Sequence, residues 1–324
     1  MKRSGSITAF ADAPAVEEII RAGAWVVFSV SGGKDSSAVL QLVWQALAKL
    51  KEEGGKLPKP VHVISTNTLV ENPIVDCWVE QSHKKMVEVA EQVGLPIEVH
   101  RLQPRVENSF WVNLIGRGYP APRPKFRWCT ERLKIQPSND FIKKVVELGR
   151  DVLLIIGTRK AESSRRASNM AKQAEKAIQD RITPNASLPG SWVYTPIEDW
   201  TNDEVWQFLH LYENPWGYNN QDLQAMYRSG SEDNECPVQM DTSAPSCGNS
   251  RFGCWVCTLV DEDKSLAAMH ANDPENNRWM KPMIELREEL HPGSPGREKK
   301  EEEERKKEKG LQTSREKWQK DRNR

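Results

Sequence analysis

Seven consecutive residues constrain this chain more than any others: Ser31-Gly32-Gly33-Lys34-Asp35-Ser36-Ser37, set between two apolar runs. The run before it, Trp25 to Val30, is short, β-branched and aromatic, as a buried strand is. The run after it, Ala38 to Leu47, is longer and places Val39, Leu42, Val43, Ala46 and Leu47 on one helical face. A tight turn between strand and helix needs glycines, which accept positive φ and let a ligand approach the backbone. Ser36, Ser37 and the first helical residues then carry N–H groups without intrahelical partners at a positive helix end, a seat for phosphate. Lys34 adds a mobile cation, and the serine hydroxyls add donors. The spacing is not the GxxxxGK[ST] of a Walker loop.

The alternation continues downstream. Residues 51–60 are polar and broken by Gly and Pro, a surface connection. Val61–Thr66 reads as a second strand, a helix follows over about 74–93 with Gly94 as its stop, and Ile97–His100 reads as a third strand. This order predicts an α/β fold, a parallel sheet with right-handed crossovers and ligands at the carboxyl ends of its strands. A short amphipathic helix is expected within 7–24. The apolar run Asp151–Gly157 is a further buried strand, followed at once by Arg159, Arg165 and Arg166, well placed for bidentate phosphate contacts. The polar stretch 171–190 reads as a mobile cover, and 192–201 as the stretch that closes the sheet. Thr201-Asn202-Asp203-Glu204 is a capping box for the next helix.

The SGGKDS loop resembles that of the PP-loop ATP pyrophosphatases, which cleave ATP between its α and β phosphates and include the phosphoadenylyl-sulfate reductases. The resemblance implies that Ser31, Gly32, Gly33, Lys34, Asp35, Ser36 and Ser37 hold ATP and pyrophosphate with Mg²⁺, and that Lys34 and Asp35 are catalytic. Asn67-Thr68-Leu69-Val70-Glu71 is similar to the DTG-x-E segment of those reductases, which puts Thr68 and Glu71 beside the nucleotide. It departs from that pattern at Asn67, where Asp is usual, and at Leu69, where Gly is usual. Cys129-Thr130-Glu131-Arg132 resembles their Cys-x-x-Arg segment, with Trp128 in the place of a second cysteine. A cysteine between Arg127 and Arg132 is expected to be a stabilised, reactive thiolate, so Cys129 is a catalytic candidate and Arg132 a phosphate ligand. The stretch from Gly157 is similar to a G-x-R-x-x-E-S-x-x-R anion loop; it implies roles for Gly157, Arg159, Glu162 and Arg165, with Arg159 stabilising the leaving pyrophosphate.

Lysine plus arginine and aspartate plus glutamate both number 46, so net charge argues for no nucleic-acid partner. A local patch does: residues 104–128 interleave Arg105, Arg117, Arg123, Lys125 and Arg127 with Trp111, Tyr119, Phe126 and Trp128, a pattern suited to a phosphodiester and stacked bases or to ATP alone. No segment has the roughly 20 apolar residues of a membrane span, and a cytoplasmic location is expected. In a reducing compartment, six cysteines point to metal or catalysis rather than disulfides. Cys236, Cys247, Cys254 and Cys257 follow a C-x10-C-x6-C-x2-C spacing, enough thiolates for tetrahedral zinc or an iron–sulfur cluster, and the spacing does not separate the two.

Together with the loop, Arg251-Phe252-Gly253-Cys254-Trp255-Val256-Cys257 resembles the cluster segment of the DndC-type DNA phosphorothioation proteins and their relatives of the single-strand system. The resemblance spans about residues 25–290. It implies a Rossmann-like PP-loop domain (adenine nucleotide alpha hydrolase-like) over 1–201, a small, mainly helical [4Fe–4S] unit over 202–290, and a charged tail over 291–324. The implied ligands are Cys236, Cys247, Cys254 and Cys257, with Cys129 in place of Cys236 as the other arrangement. The implied activity is ATP-dependent sulfur insertion into the DNA backbone, with a cysteine desulfurase and other phosphorothioation-system proteins as partners. The rival readings are a sulfonucleotide reductase, a tRNA thiolase, and an ATP- and cluster-binding regulatory subunit without turnover.

Overall fold

The computed structural model describes residues 25–55, 57, 59–147, 152–175, 177, 182–185, 187–231 and 252–293. The expected helix within 7–24, Cys236, Cys247 and the tail beyond 293 lie outside them. The strands are β1 (Trp25–Ser29), β2 (Val61–Thr66), β3 (Ile97–Leu102), β4 (Val152–Ile155), β5 (Ile182–Pro184) and β6 (Ser191–Tyr194). They form one six-stranded sheet in the order β3-β2-β1-β4-β6-β5, parallel except for β5, which runs antiparallel to β6. β1 is central, and Val26, Val27 and Phe28 are each at most 1% exposed. Covered on both faces, it needs a continuous apolar run rather than an alternating one.

The helices are α1 (Lys34–Glu52), α2 (Pro73–Val93), α3 (Gln136–Glu147), α4 (Ser164–Ala174), α5 (Asn202–Leu211), α6 (Asn220–Ser229), α7 (Lys264–Asn272) and α8 (Lys281–Leu290). Local chemistry sets their ends. Asn72 caps α2 by accepting the Ile74 N–H, Pro73 opens it, and Gly94 closes it at φ 61°. The capping box of α5 is present: Thr201 Oγ1 accepts the Glu204 N–H at 3.2 Å, and the Glu204 carboxylate accepts the Thr201 N–H at 2.7 Å.

The chain winds from β1 through β2 to β3, then returns to lay β4 against the opposite side of β1. That reversal opens a crevice beyond the carboxyl ends of β1 and β4, where the Ser31–Ser37 loop begins.

The structure adds to the expected elements at three places. The 171–190 stretch contains the end of α4 and the strand β5, so β5, not β6, forms that edge of the sheet. Residues Thr130–Ile135 wind in π register and α3 continues from Gln136 through Pro137. Finally, the core runs across residue 201. Val205, Trp206, Phe208, Leu209, Leu223, Leu266 and Met269 join the same apolar cluster as Phe28, Val39 and Val43. A smaller cluster, Val70, Phe110, Trp128, Leu133 and Val256, lies against Cys129 and Cys254. Among the described residues no helix is long and apolar enough to cross a membrane.

Candidate nucleotide and cysteine site

The glycines of the loop are required by its shape. Gly32 has φ 79°, and a Cβ there would come within 2.3 Å of Val79. Gly157, just after β4, lies under the start of α1, where a Cβ would meet the Asp35 carbonyl oxygen at 2.8 Å. Its role is close backbone packing, which lets the β4 loop approach the phosphate loop. The Ser36 hydroxyl donates to the Gly33 carbonyl at 2.9 Å and accepts the Ser31 N–H at 3.3 Å, and Ser37 is buried behind it. These two serines shape the loop from beneath rather than line the cleft above it.

That cleft has a volume of about 740 Å³ and is walled by Ser31–Asp35, Thr66, Glu71, Asp76, Arg101, Lys134, Arg159, Glu162 and Tyr227 among others. Lys34 is held from the far part of the chain: its N–H donates to the Tyr227 hydroxyl at 3.2 Å, and its ammonium lies 5.4 Å from the centre of the Tyr227 ring. The ammonium is also 3.3 Å from the Asp35 carboxylate. Asp35 in turn accepts from Arg159 Nε at 2.6 Å.

Several predicted residues lie elsewhere or act differently. Arg159 is 3% exposed, and beyond Asp35 it donates to the Trp200 carbonyl at 3.1 Å. It therefore positions Asp35 at the cleft wall instead of reaching out to an anion. Glu162 accepts the Arg159 N–H at 2.9 Å, and Arg165 is exposed on α4 outside the cleft. Arg132 is also outside: it donates to Asn108 at 3.0 Å, Asn113 at 3.1 Å and the Tyr119 hydroxyl at 3.1 Å. So engaged, Arg132 does not activate Cys129, and burial pushes the Cys129 thiol above its ordinary value. The expected low-pKa thiolate is corrected on that ground.

The Thr68–Glu71 segment joins the cleft to the cysteines. Thr68 is fully buried; its hydroxyl donates to Glu71 at 2.9 Å and lies 3.4 Å from Cys254 Sγ. Glu71 and Cys254 face each other in an isolated antiparallel bridge, and the Trp255 N–H donates to the Val70 carbonyl at 3.0 Å. Lys134 is 3.5 Å from Glu71. Burial pushes the Cys254 thiol up to about 12, with Lys134 acting in the opposite direction. Cys129 and Cys254 both pack against the cluster that includes Val256, and the Cys257 N–H donates to the Cys254 carbonyl at 3.0 Å, so three of the cysteines share one corner. Buried Arg287, on α8, supports that corner by donating to the Cys257 carbonyl at 3.1 Å, the Asp261 carbonyl at 2.7 Å and the Val260 carbonyl.

The donor chemistry of this corner fits a soft metal group. Tetrahedral zinc holds thiolate sulfurs about 3.8 Å apart. Among the described residues, the group of three ligand atoms lying within 4.8 Å of one another is His62, Glu98 and His100, and not these cysteines. Thiolates in such a corner serve either a zinc ion or an iron–sulfur cluster. Lys134, Arg101 and Tyr227 were not singled out in the sequence; a lysine five residues past Cys129 carries no pattern of its own, and the other two reach the cleft only through folding.

A phosphate-type loop at the switch point of a doubly wound sheet, with cysteines on its rim, defines the class: an α/β nucleotide-site protein with an adjoining sulfur site. Residues 25–260 match the model of the phosphoadenosine phosphosulfate reductase domain, and the chain belongs to that family. An uncharacterized protein of Methanocaldococcus jannaschii is 29% identical over 236 residues, 73% of this chain and 36% of that protein. The chain thus spans little more than a third of that relative's length. Among solved structures, the U34-tRNA thiolase NcsA from Methanococcus maripaludis with its [4Fe–4S] cluster is 14% identical, with 87% of this chain and 78% of that one covered at a TM-score of 0.40. A Candida auris phosphoadenylyl-sulfate reductase in a phosphate complex is 14% identical, covering 65% and 89% at 0.35. The Candida glabrata FMN adenylyltransferase with FAD and pyrophosphate is 13% identical, covering 75% and 72% at 0.40.

Proposed function

We propose that the chain carries out ATP-dependent sulfur insertion at a DNA phosphodiester, the reaction of DndC-type proteins. The observation that carries this reading is the shared wall: Glu71 and Lys134 line the phosphate-loop cleft, and Glu71 bridges to Cys254. A non-bridging phosphate oxygen attacks the α-phosphorus of ATP; its bond to pyrophosphate breaks and an adenylated phosphodiester forms. Hydrosulfide then bonds to the DNA phosphorus and AMP leaves with the activated oxygen, so sulfur replaces oxygen without net redox change. The loop N–H groups and Lys34 stabilise the departing pyrophosphate, and the Arg159–Asp35 pair holds Lys34's neighbourhood in register. Mg²⁺ accompanies the triphosphate, bound mainly by phosphate oxygens. Cys247, Cys254 and Cys257, with Cys236 or Cys129 as the fourth, would hold a [4Fe–4S] cluster, which when bound offers a soft iron site for sulfide. A cysteine desulfurase supplies the sulfur, its persulfide reduced to sulfide by a cellular thiol.

For DNA, exposed Arg123, Lys125 and Arg127 flank exposed Phe126 on a short turn closed by the Arg123–Phe126 bridge, and exposed Arg117 ends the helical turn Val112–Gly116. The aromatic half of the 104–128 stretch divides in the fold. Trp128 stacks on Phe110 in the core under the cysteines, while Phe126 stays outside with the cations.

The test is anaerobic turnover of ATP and sulfide with an oligonucleotide. AMP, pyrophosphate and phosphorothioate are expected in equal amounts, and Lys34→Ala should lower the rate by about 100-fold or more. Sulfite made from an adenylyl sulfate would instead select a reductase, thiolated tRNA a thiolase, and ATP binding without AMP a regulatory subunit.

A further inference from the structure

We propose that His62, Glu98 and His100 form a binding site for one zinc-class divalent ion, a clip between β2 and the edge strand β3. None of the three lines the nucleotide cleft, and the site stands independently of the reaction proposed above.

The register builds it. His62 pairs with Glu98 and Ile64 with His100, so the three side chains share one face of two adjacent parallel strands. Their ligand atoms converge: His62 Nδ1 lies 3.1 Å from His100 Nε2 and 3.3 Å from Glu98 Oε2, and His100 Nε2 lies 3.7 Å from Glu98 Oε2. Zinc bonds of about 2.0–2.1 Å at tetrahedral angles separate neighbouring ligand atoms by about 3.4 Å. The three observed separations bracket that value. Hydrogen bonding alone serves the arrangement less well. One nitrogen, Nδ1 of His62, faces both other groups, yet a ring nitrogen carries a single proton or a single lone pair.

The rings are held in place before any ion arrives. Trp25 stacks on His62 with centroids 5.9 Å apart, and Phe141 of α3 packs against His62 at 5.6 Å and His100 at 4.7 Å. Glu98 is exposed at the rim, where water completes a fourth position. Two imidazoles, one carboxylate and a water form a set that zinc accepts, with cobalt as its spectroscopic substitute.

The test is titration of the full anaerobic chain with Co²⁺, read by visible spectroscopy. The expected result is one equivalent with ligand-field bands and no thiolate-to-cobalt charge transfer, retained in Cys254→Ser. Glu98→Gln should weaken that equivalent at least tenfold and His100→Ala should abolish it; both positions are near the surface, and circular dichroism checks that each variant folds. If His100→Ala takes up cobalt like the wild type, or every bound cobalt shows thiolate charge transfer, the proposal is overturned and the three side chains are a hydrogen-bonded trio only.

Discussion

Leu69 has φ 65°, a backbone conformation that favours glycine, at the position where the reductase relatives carry glycine. The backbone shape of the segment is thus retained while the residue that suits it is not. Asn67 sustains the turn, its side-chain oxygen accepting the Leu69 N–H at 2.7 Å. A left-handed leucine costs about 1–2 kcal/mol, and this one is 49% exposed, so little packing offsets the strain. Leu69→Gly is expected to stabilise the fold by about 1 kcal/mol in urea unfolding, since glycine's larger unfolded-state entropy removes part of the gain. No change, or a loss, would mean that Leu69 makes a compensating contact. At the same scale, Asn67 could be read from the sequence only as a lost carboxylate. Its actual work, holding a turn, depends on a φ value that no residue name displays.

At the scale of elements, the CxxC turn and α8 are coupled by Arg287, a charged side chain that is 2% exposed and faces three carbonyls of the 257–261 turn. Replacing it with leucine removes the charged donor from those carbonyls, and hydrogen bonds to a charged group are worth about 1.5–3 kcal/mol. Arg287→Leu is expected to destabilise the chain by about 3 kcal/mol and to lower iron retained on anaerobic purification. Retained iron with lowered stability would confine α8 to a structural role. Sequence spacing located the CxxC pair, because a chelate over two intervening residues is local. It did not show that Arg287, thirty residues past Cys257, completes the turn.

For the molecule as a whole, one core spans the phosphate-loop sheet and the later helices, so acid should unfold both together. His83, buried on α2, has no hydrogen-bond partner for Nε2 among the described residues, and burial, followed by the charge of Arg101, lowers its pKa from 6.5 to about 4. Between those values the unfolded chain binds a proton that the folded chain does not. Stability is therefore full above pH 6.5 and falls as the pH drops toward 4, by about 3 kcal/mol from this residue. Urea unfolding of wild type and His83→Gln at pH 7 and pH 4.5 measures it: the variant should lose less stability on acidification. Equal losses would assign the acid sensitivity to other groups.

The strand–loop–helix at Trp25–Leu47, the strand–helix alternation of a parallel sheet and the capping box at Thr201 were all determined by the sequence alone, because each rests on periodicity or on groups a few residues apart. The cleft wall was decided by tertiary structure. Tyr227 meets Lys34 across 193 residues, and Cys254 meets Thr68 across 186. Arg132 and Arg159, similar in the sequence as cations beside a phosphate loop, diverge because one is captured by Asn108, Asn113 and Tyr119 and the other by Asp35. Which partner captures a buried charge depends on what the fold places within about 3 Å of it, and hydrophobic packing of distant segments makes that choice.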